Sequence, residues 1–342
     1  MEEKIKIYVP ESINRILLKD MELFEMFKKD GSLNKNEFYN TLIVNYYRQY
    51  QEKTGELFSQ ICSTIKSSSS LNESNVNEIA SSIVQLMRHS QFDDDKASFT
   101  EVALSMKPTK KSKDVIDFIT DCYLDNMSLS GYFRNMFFSY TMLPQDKRER
   151  IIFKDHFEKI EEAMEKGRKI YFSTKRSEKK REASVYMIAS SKEELFNYVL
   201  LEIDGKPATQ RVNRIASIMI LNEISSVSVS TMNTLEKMRE QGPQYTYREG
   251  ETGEIKVRLT EQGKRLYKAI YLQRPPVKEI QDDIYTFSCS AEQAMQYFRK
   301  FGKNAVVVYP STLTDDLYNF YSGARRVYKN EKYSNSLAND EE

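Results

Sequence analysis

The chain has 342 residues, 40% apolar and 30% charged, with 51 Lys and Arg against 50 Asp and Glu and a net charge of +1. That length suits about two or three domains rather than one core, and a near-neutral total means that any affinity for nucleic acid has to come from local clusters of charge. Isolated Cys62, Cys122 and Cys289, with His89 and His156 alone, give neither a disulfide framework nor a metal-ligand cluster. No apolar run approaches the roughly 20 residues that span a bilayer and no signal-peptide pattern opens the chain, so a cytoplasmic protein without membrane contact is expected.

Ile5-Lys6-Ile7-Tyr8-Val9 alternates like a half-buried strand, and Pro10 closes it. Ile13, Ile16, Leu17, Met21 and Phe24 then recur at helical steps as far as Asp30-Gly31. After Ser32-Leu33-Asn34 a second helix carries Phe38, Leu42 and Tyr46 on one face. Residues 55–66 and 71–90 predict two connecting helices separated by Ser67-Ser68-Ser69-Ser70. The first order then recurs. Val102–Met106 alternates, Val115, Ile116, Ile119 and Tyr123 mark a helix, Ser128-Leu129-Ser130 echoes Ser32-Leu33-Asn34, and Tyr132, Phe133, Met136, Phe137 and Tyr140 close the unit. Residues 4–50 and 101–142 thus predict a diverged internal repeat within a domain at 1–144. Strand, helix, turn, helix resembles the ribbon-helix-helix fold, in which two copies of the strand pair, and the resemblance implies that strands 4–9 and 102–106 pair within the chain.

The same resemblance implies that outward ribbon residues Lys4, Lys6 and Tyr8 face nucleic acid, opposite Ala103, Ser105 and Lys107, and that Lys35 and Asn36 hold phosphates where the second helix begins. Lys110, Lys111 and Lys113 follow the second strand.

Beyond Leu143-Pro144, Asp146 and Glu149 read as a capping box, and Phe153, Phe157, Ile160 and Met164 predict one linker helix over 145–166. From Gly167 the periodicity changes to short strands. Arg168–Arg176 opens, Ser177-Glu178 turns, and Lys179-Lys180-Arg181 leads into Ala183–Ile188. Arg168, Lys169, Lys175, Arg176, Lys179, Lys180 and Arg181 stand there against Glu178 alone. Strands at 195–203, closed by Asp204-Gly205, at 209–215 and at 218–221 complete five, and a small closed barrel at 167–222 hides their edges. A barrel face mixing Lys175, Arg176 and Lys179 with Tyr171, Tyr186 and Tyr198 offers charge to phosphates and rings to bases, stacking being worth about 1–3 kcal/mol per base.

The basic-aromatic opening strand with Tyr171, the strand at Tyr198 and the closing R-x-x-R-I of Arg211, Arg214 and Ile215 resemble the WYL domain, a small Sm-like barrel of bacterial regulators. The name-giving triplet stands here as Asn197-Tyr198-Val199, and the chain has no tryptophan. The resemblance implies that Arg211 and Arg214 line a ligand site, with Ser173 among the strand residues facing nucleic acid. In a regular strand, positions three apart face opposite sides, so the two arginines can meet one ligand only where the chain bends.

A connecting arm at 223–253 holds a helix near Val227–Met238 and a boundary at Gly242-Pro243, Gly250 and Gly253. Strands at 255–259, 284–288 and 305–309 then alternate with helices at 262–271, 291–301 and 313–328, which predicts a ferredoxin-like α/β domain at 254–330 before a disordered tail at 331–342. It resembles the carboxy-terminal extension that follows many WYL domains, which implies a homodimer.

The expected fold is therefore α+β and multidomain. No G-x-x-x-x-G-K, G-x-G-x-x-G, H-E-x-x-H or G-x-S-x-G occurs, and acid pairs such as Glu161-Glu162 and Glu193-Glu194 fall on surfaces. No enzyme, metal or cofactor is expected. The three-part order resembles the WYL accessory proteins encoded beside RNA-targeting effectors of type VI-D CRISPR systems. It implies a non-catalytic dimer that binds single-stranded RNA and stimulates the effector. Two rivals are a transcriptional regulator gripping duplex DNA through the ribbon while the barrel senses a nucleotide, and a protein adaptor with no nucleic-acid affinity.

Overall fold

In the computed structural model, residues 4–93, 101–124, 127–247 and 251–339 are described; Gly250 lies outside them. The chain is a mixture of helices and antiparallel sheets and divides into two compact units, Met1–Glu158 and Lys159–Glu342. No helix among the described residues is long and apolar enough to cross a membrane.

In the first unit β1 (Ile5–Pro10) leads into α1 (Glu11–Leu23) and α2 (Lys35–Ser68), then α3 (Glu73–Asp93). The order repeats as β2 (Glu101–Met106), α4 (Lys110–Cys122) and α5 (Leu129–Thr141). The two strands pair antiparallel as expected, Ile5 opposite Met106 and Tyr8 opposite Ala103. Ile7, Val9, Leu104 and Met106 turn inward, and the core they join is aromatic: Phe38, Tyr39, Tyr46, Tyr132, Phe133, Phe137 and Tyr140 are all buried. Asn40 ties the repeats together, donating to the Lys107 carbonyl at 3.1 Å and accepting from the Thr109 amide at 3.0 Å.

Three expectations change here. The helix expected at 55–66 is the far half of α2, because Gly55 costs only about 1 kcal/mol in a helix that Phe38, Leu42, Tyr46 and Tyr50 already anchor. The linker helix is two helices, α6 (Gln145–Ile152) and α7 (Lys154–Glu165). They break at Phe153, whose ring meets Phe24 edge-on at 5.9 Å and stacks on His156 at 5.8 Å. Pro144 is the N-cap of α6 and makes no side-chain cap, so Asp146 lies in the first turn instead of closing a capping box.

The second unit opens with a five-stranded sheet of β3 (Arg168–Thr174), β4 (Ser177–Ser190), β5 (Asn197–Ile203), β6 (Lys206–Arg211) and β7 (Ile215–Ile224), in the order β6-β5-β4-β3-β7. The long β4 bends the sheet: its first half pairs with β3 and its second with β5. No ladder joins β6 to β7, so the expected closed barrel is a bent sheet open along that edge. Asp204 and Gly205 hold φ of 52° and 74°, the left-handed pair that a tight hairpin needs. Helix α8 (Val229–Gln241) covers one face, burying Leu235 and Met238 against Leu200 and Tyr247.

The chain ends in β8 (Glu254–Leu259), α9 (Glu261–Ala269), β9 (Val277–Gln281), β10 (Ile284–Ser288), α10 (Ala291–Phe298), β11 (Ala305–Tyr309) and α11 (Ser311–Asn339). The sheet order is β11-β8-β10-β9, with Ile255, Val257, Phe287, Tyr297, Phe298 and Leu313 in its core. A Cβ on Gly263 would lie 2.1 Å from the Asn304 carbonyl, so only glycine lets α9 sit this close. Residues 331–339 continue α11 instead of forming a tail, since a helix started on Leu313 and Leu317 propagates at little further cost. Residues 340–342 lie outside the described chain.

Candidate nucleic-acid interface

The hairpin between β3 and β4 is tighter than its sequence suggested. Thr174 pairs with Ser177, which leaves Lys175-Arg176 as the turn and puts Ser177-Glu178 in the strand. Lys175, Arg176, Lys179, Lys180 and Arg181 are all exposed. The Lys180 ammonium lies 5.7 Å from the Tyr171 ring centre and the Arg181 guanidinium 5.4 Å from that of Phe172. Lys169 is held differently: its 2.6 Å ion pair with Glu182 pushes its pKa up. Arg168 donates to the Asn222 carbonyl.

The arginine pair comes together through a bend. β6 ends at Arg211, a 3₁₀ turn spans Val212–Arg214, and β7 starts at Ile215. Three residues per turn bring positions i and i+3 to one side, which a strand would not. Both charges reach the Tyr198 hydroxyl and act to lower its pKa, but burial, with the hydrogen bond it donates to the Glu194 carboxylate, drives it far up. The Arg211 guanidinium lies 3.1 Å from the centre of the Phe196 ring. The Lys175 amide donates to the Arg214 carbonyl at 2.9 Å, so the hairpin tip and the arginine pair adjoin.

The tyrosines do not form one wall. Tyr171 is half-buried beside the hairpin cations. Tyr198 is buried and stands opposite Arg211 in the β5–β6 pairing. Tyr186 faces α8, packing against the Leu200, Leu235 and Met238 cluster and donating to the Glu236 carboxylate; that bond, ahead of burial, raises its pKa. Ser173 is also buried, its hydroxyl 2.7 Å from that of Ser217. Tyr186, Tyr198 and Ser173 are therefore corrected from contact residues to packing residues. Phe196 and Glu194 are the contributors that sequence reasoning passed over. Both precede β5, Glu194 in the turn at 192–194 and Phe196 just after Leu195, whose φ is 57°, so no strand period marks them.

On the ribbon, Lys4, Lys6 and Tyr8 are exposed, as are Ala103 and Ser105 across from them. The Tyr8 backbone is fixed by α5: its amide donates to the Ser130 hydroxyl at 3.1 Å and its carbonyl accepts from Arg134 at 2.7 Å. At the start of α2 Lys35 is exposed, but the Asn36 side-chain oxygen accepts from the Lys107 amide at 2.7 Å and serves the fold. Asn34 caps this end with Glu37, whose acid in the first turn already complements the helix dipole. Among the described residues no group of three His, Cys, Asp or Glu is placed to hold a metal ion.

No family model and no curated protein matches the chain. Its fold is that of a solved structure described as a CRISPR Cas-related protein, at 19% identity and a TM-score of 0.66, covering 97% of this chain and 95% of that one. A weaker similarity, at 14% identity and a TM-score of 0.26, links 63% of the chain to 35% of proteasome accessory factor B/C of Arthrobacter aurescens.

Proposed function

We propose that this protein is a non-catalytic accessory factor of an RNA-targeting CRISPR system, which binds single-stranded RNA and raises the cleavage activity of the effector. The observation that carries the reading is the Lys175–Arg214 backbone bond, which makes the exposed hairpin cations and the arginine pair one run of positive charge. Phosphates would follow that run while a base stacks near Tyr171. A likeness of fold over nearly the whole of a CRISPR Cas-related protein supports the setting. The strand order in which β3 lies between β4 and β7 suits a WYL-type, Sm-like module. The paired ribbon with its repeated helices suits a ribbon-helix-helix domain, and the β11-β8-β10-β9 order suits a ferredoxin-like domain through which two subunits would join.

Fluorescence polarisation across about 50 to 200 mM salt tests this, with single-stranded RNA and duplex DNA as probes. RNA should bind more tightly, and Lys175→Ala with Arg176→Ala should flatten the logarithmic salt slope by about 1.4, or about 0.7 for each phosphate no longer neutralised. Failure to bind RNA at the lowest salt overturns the reading. A second reading, a regulator on duplex DNA, is favoured by the exposed Lys6 and Tyr8. It predicts duplex binding that Lys6→Ala abolishes.

A further inference from the structure

Within the amino-terminal unit an open pocket of about 460 Å³ lies between α2 and α4, lined by Tyr47, Arg48, Gln51, Glu52, Phe118 and Tyr123. Phe118 lines it and is 45% exposed. Tyr47 stands nearly perpendicular to it at 6.4 Å and 77°, and Tyr123 at 5.5 Å and 88°. The rings thus form a floor with two walls. Arg48 donates to the Tyr47 hydroxyl at 2.9 Å and lies 5.7 Å from that ring centre, while Gln51 is fixed by its 2.6 Å bond to the Tyr132 hydroxyl. Tyr47 and Gln51 are half-buried at the edge of the α2 face that buries Tyr39, Ile43, Tyr46 and Tyr50, and Arg48 and Glu52 beside them are exposed.

We propose that this pocket takes one unpaired nucleobase of an RNA strand, guanine in preference to the others. The proposal rests on the RNA-binding reading above and deepens it with a second contact. Its volume falls in the range of small-molecule sites, and a π-face between aromatic walls favours a flat ring over an aliphatic group. Arg48 is the group for the attached phosphate. Glu52 is an exposed carboxylate in the lining, and guanine alone among the four bases presents two adjacent donors on its Watson–Crick edge to such an acceptor. Asp114, Asp117 and Asp121 on α4 balance Lys110, Lys111 and Lys113, so this helix offers no net positive charge to a run of phosphates, and a single nucleotide entering base first is what fits.

The test measures the full chain on short uridine oligomers with and without one central guanosine, and with inosine in its place, which lacks the second donor. The guanosine oligomer should bind about tenfold more tightly than the plain one, the discrimination that one bidentate contact to a base edge gives, and inosine should fall between. Phe118→Leu, which keeps an apolar side chain on α4, and Glu52→Gln should each remove the preference for the guanosine oligomer over the plain one. A plain oligomer that binds with no gain from guanosine, or a preference that survives both variants, overturns the pocket and leaves the RNA-binding reading standing. If no oligomer binds, both fall.

Discussion

Each unit holds a tyrosine hydroxyl on a carboxylate beside arginine, and the two groups have opposite surroundings. In the first unit Tyr140 donates to Asp20 at 2.8 Å, and Arg148 grips the same carboxylate with both prongs, at 2.7 and 2.9 Å. Asp20 and Tyr140 are wholly buried and the Arg148 side chain is 12% exposed. In the second unit Tyr198 donates to Glu194, and Arg211 and Arg214 are only half-buried. The same chemistry, once sealed, is a staple that fixes α1 to α5 and α6. Left half-open, it holds two guanidiniums that are only partly buried. The residue types are shared, and what separates the two groups is how far the cation still meets solvent.

Asp20→Ala should break this comparison most visibly. Removing the carboxylate strands a buried guanidinium, and loss of one partner of such a pair costs about 3–5 kcal/mol. The unfolding transition of the amino-terminal unit in urea should shift accordingly, and an unchanged midpoint would show that the staple contributes nothing. Arg211→Lys should do the reverse. An ammonium lacks the planar fork that lies over Phe196, so RNA affinity should fall about tenfold, or about 1.4 kcal/mol, while the urea midpoint barely moves. Equal losses from both variants in both assays would erase the distinction. Alkaline pH gives a smaller effect. Burial pushes Tyr39 up to about 12 from an ordinary 10.0. The folded state therefore keeps a proton that the unfolded chain releases, and this contribution is complete below pH 10 and lost as the pH rises from about 10 to 12. Stability measured at about pH 9 should exceed that at about pH 11, with tyrosinate absorbance rising together with unfolding.

Much of the first unit was legible in its sequence because the residues that fill the core also set the period. Ile13, Leu17 and Met21 on α1, and Tyr132, Phe133, Met136, Phe137 and Tyr140 on α5, are buried as their spacing implied. The pairing of β1 with β2 followed from the resemblance to a fold in which two such strands pair. Strand β9 was not legible, since Val277-Lys278-Glu279-Ile280-Gln281 sits at a sheet edge, is largely exposed, and shows no alternation. The candidate interface was legible only as charge. A row of cations can be counted, but whether Tyr186 faces a ligand or α8 depends on a helix more than forty residues later in the chain. The 3₁₀ turn that unites Arg211 and Arg214 carried no marker, because Val212-Asn213 contains neither glycine nor proline.

The finest cut between the two groups is the hydroxyl itself. Tyr140→Phe leaves Asp20 still gripped by Arg148 but removes one bond from a site that water does not reach, at a cost of about 1–3 kcal/mol. Tyr198→Phe removes a bond from a carboxylate that is itself only half-buried, so solvent can take the vacated place and the loss should be about 0.5–1.5 kcal/mol. Because the Tyr198 ring is buried and its hydroxyl is engaged with Glu194, RNA affinity should stay within about twofold, well below the roughly tenfold loss expected for a stacked base. A larger drop would mean that Tyr198 swings out to meet RNA, and the half-open group would then be a moving part and not a platform.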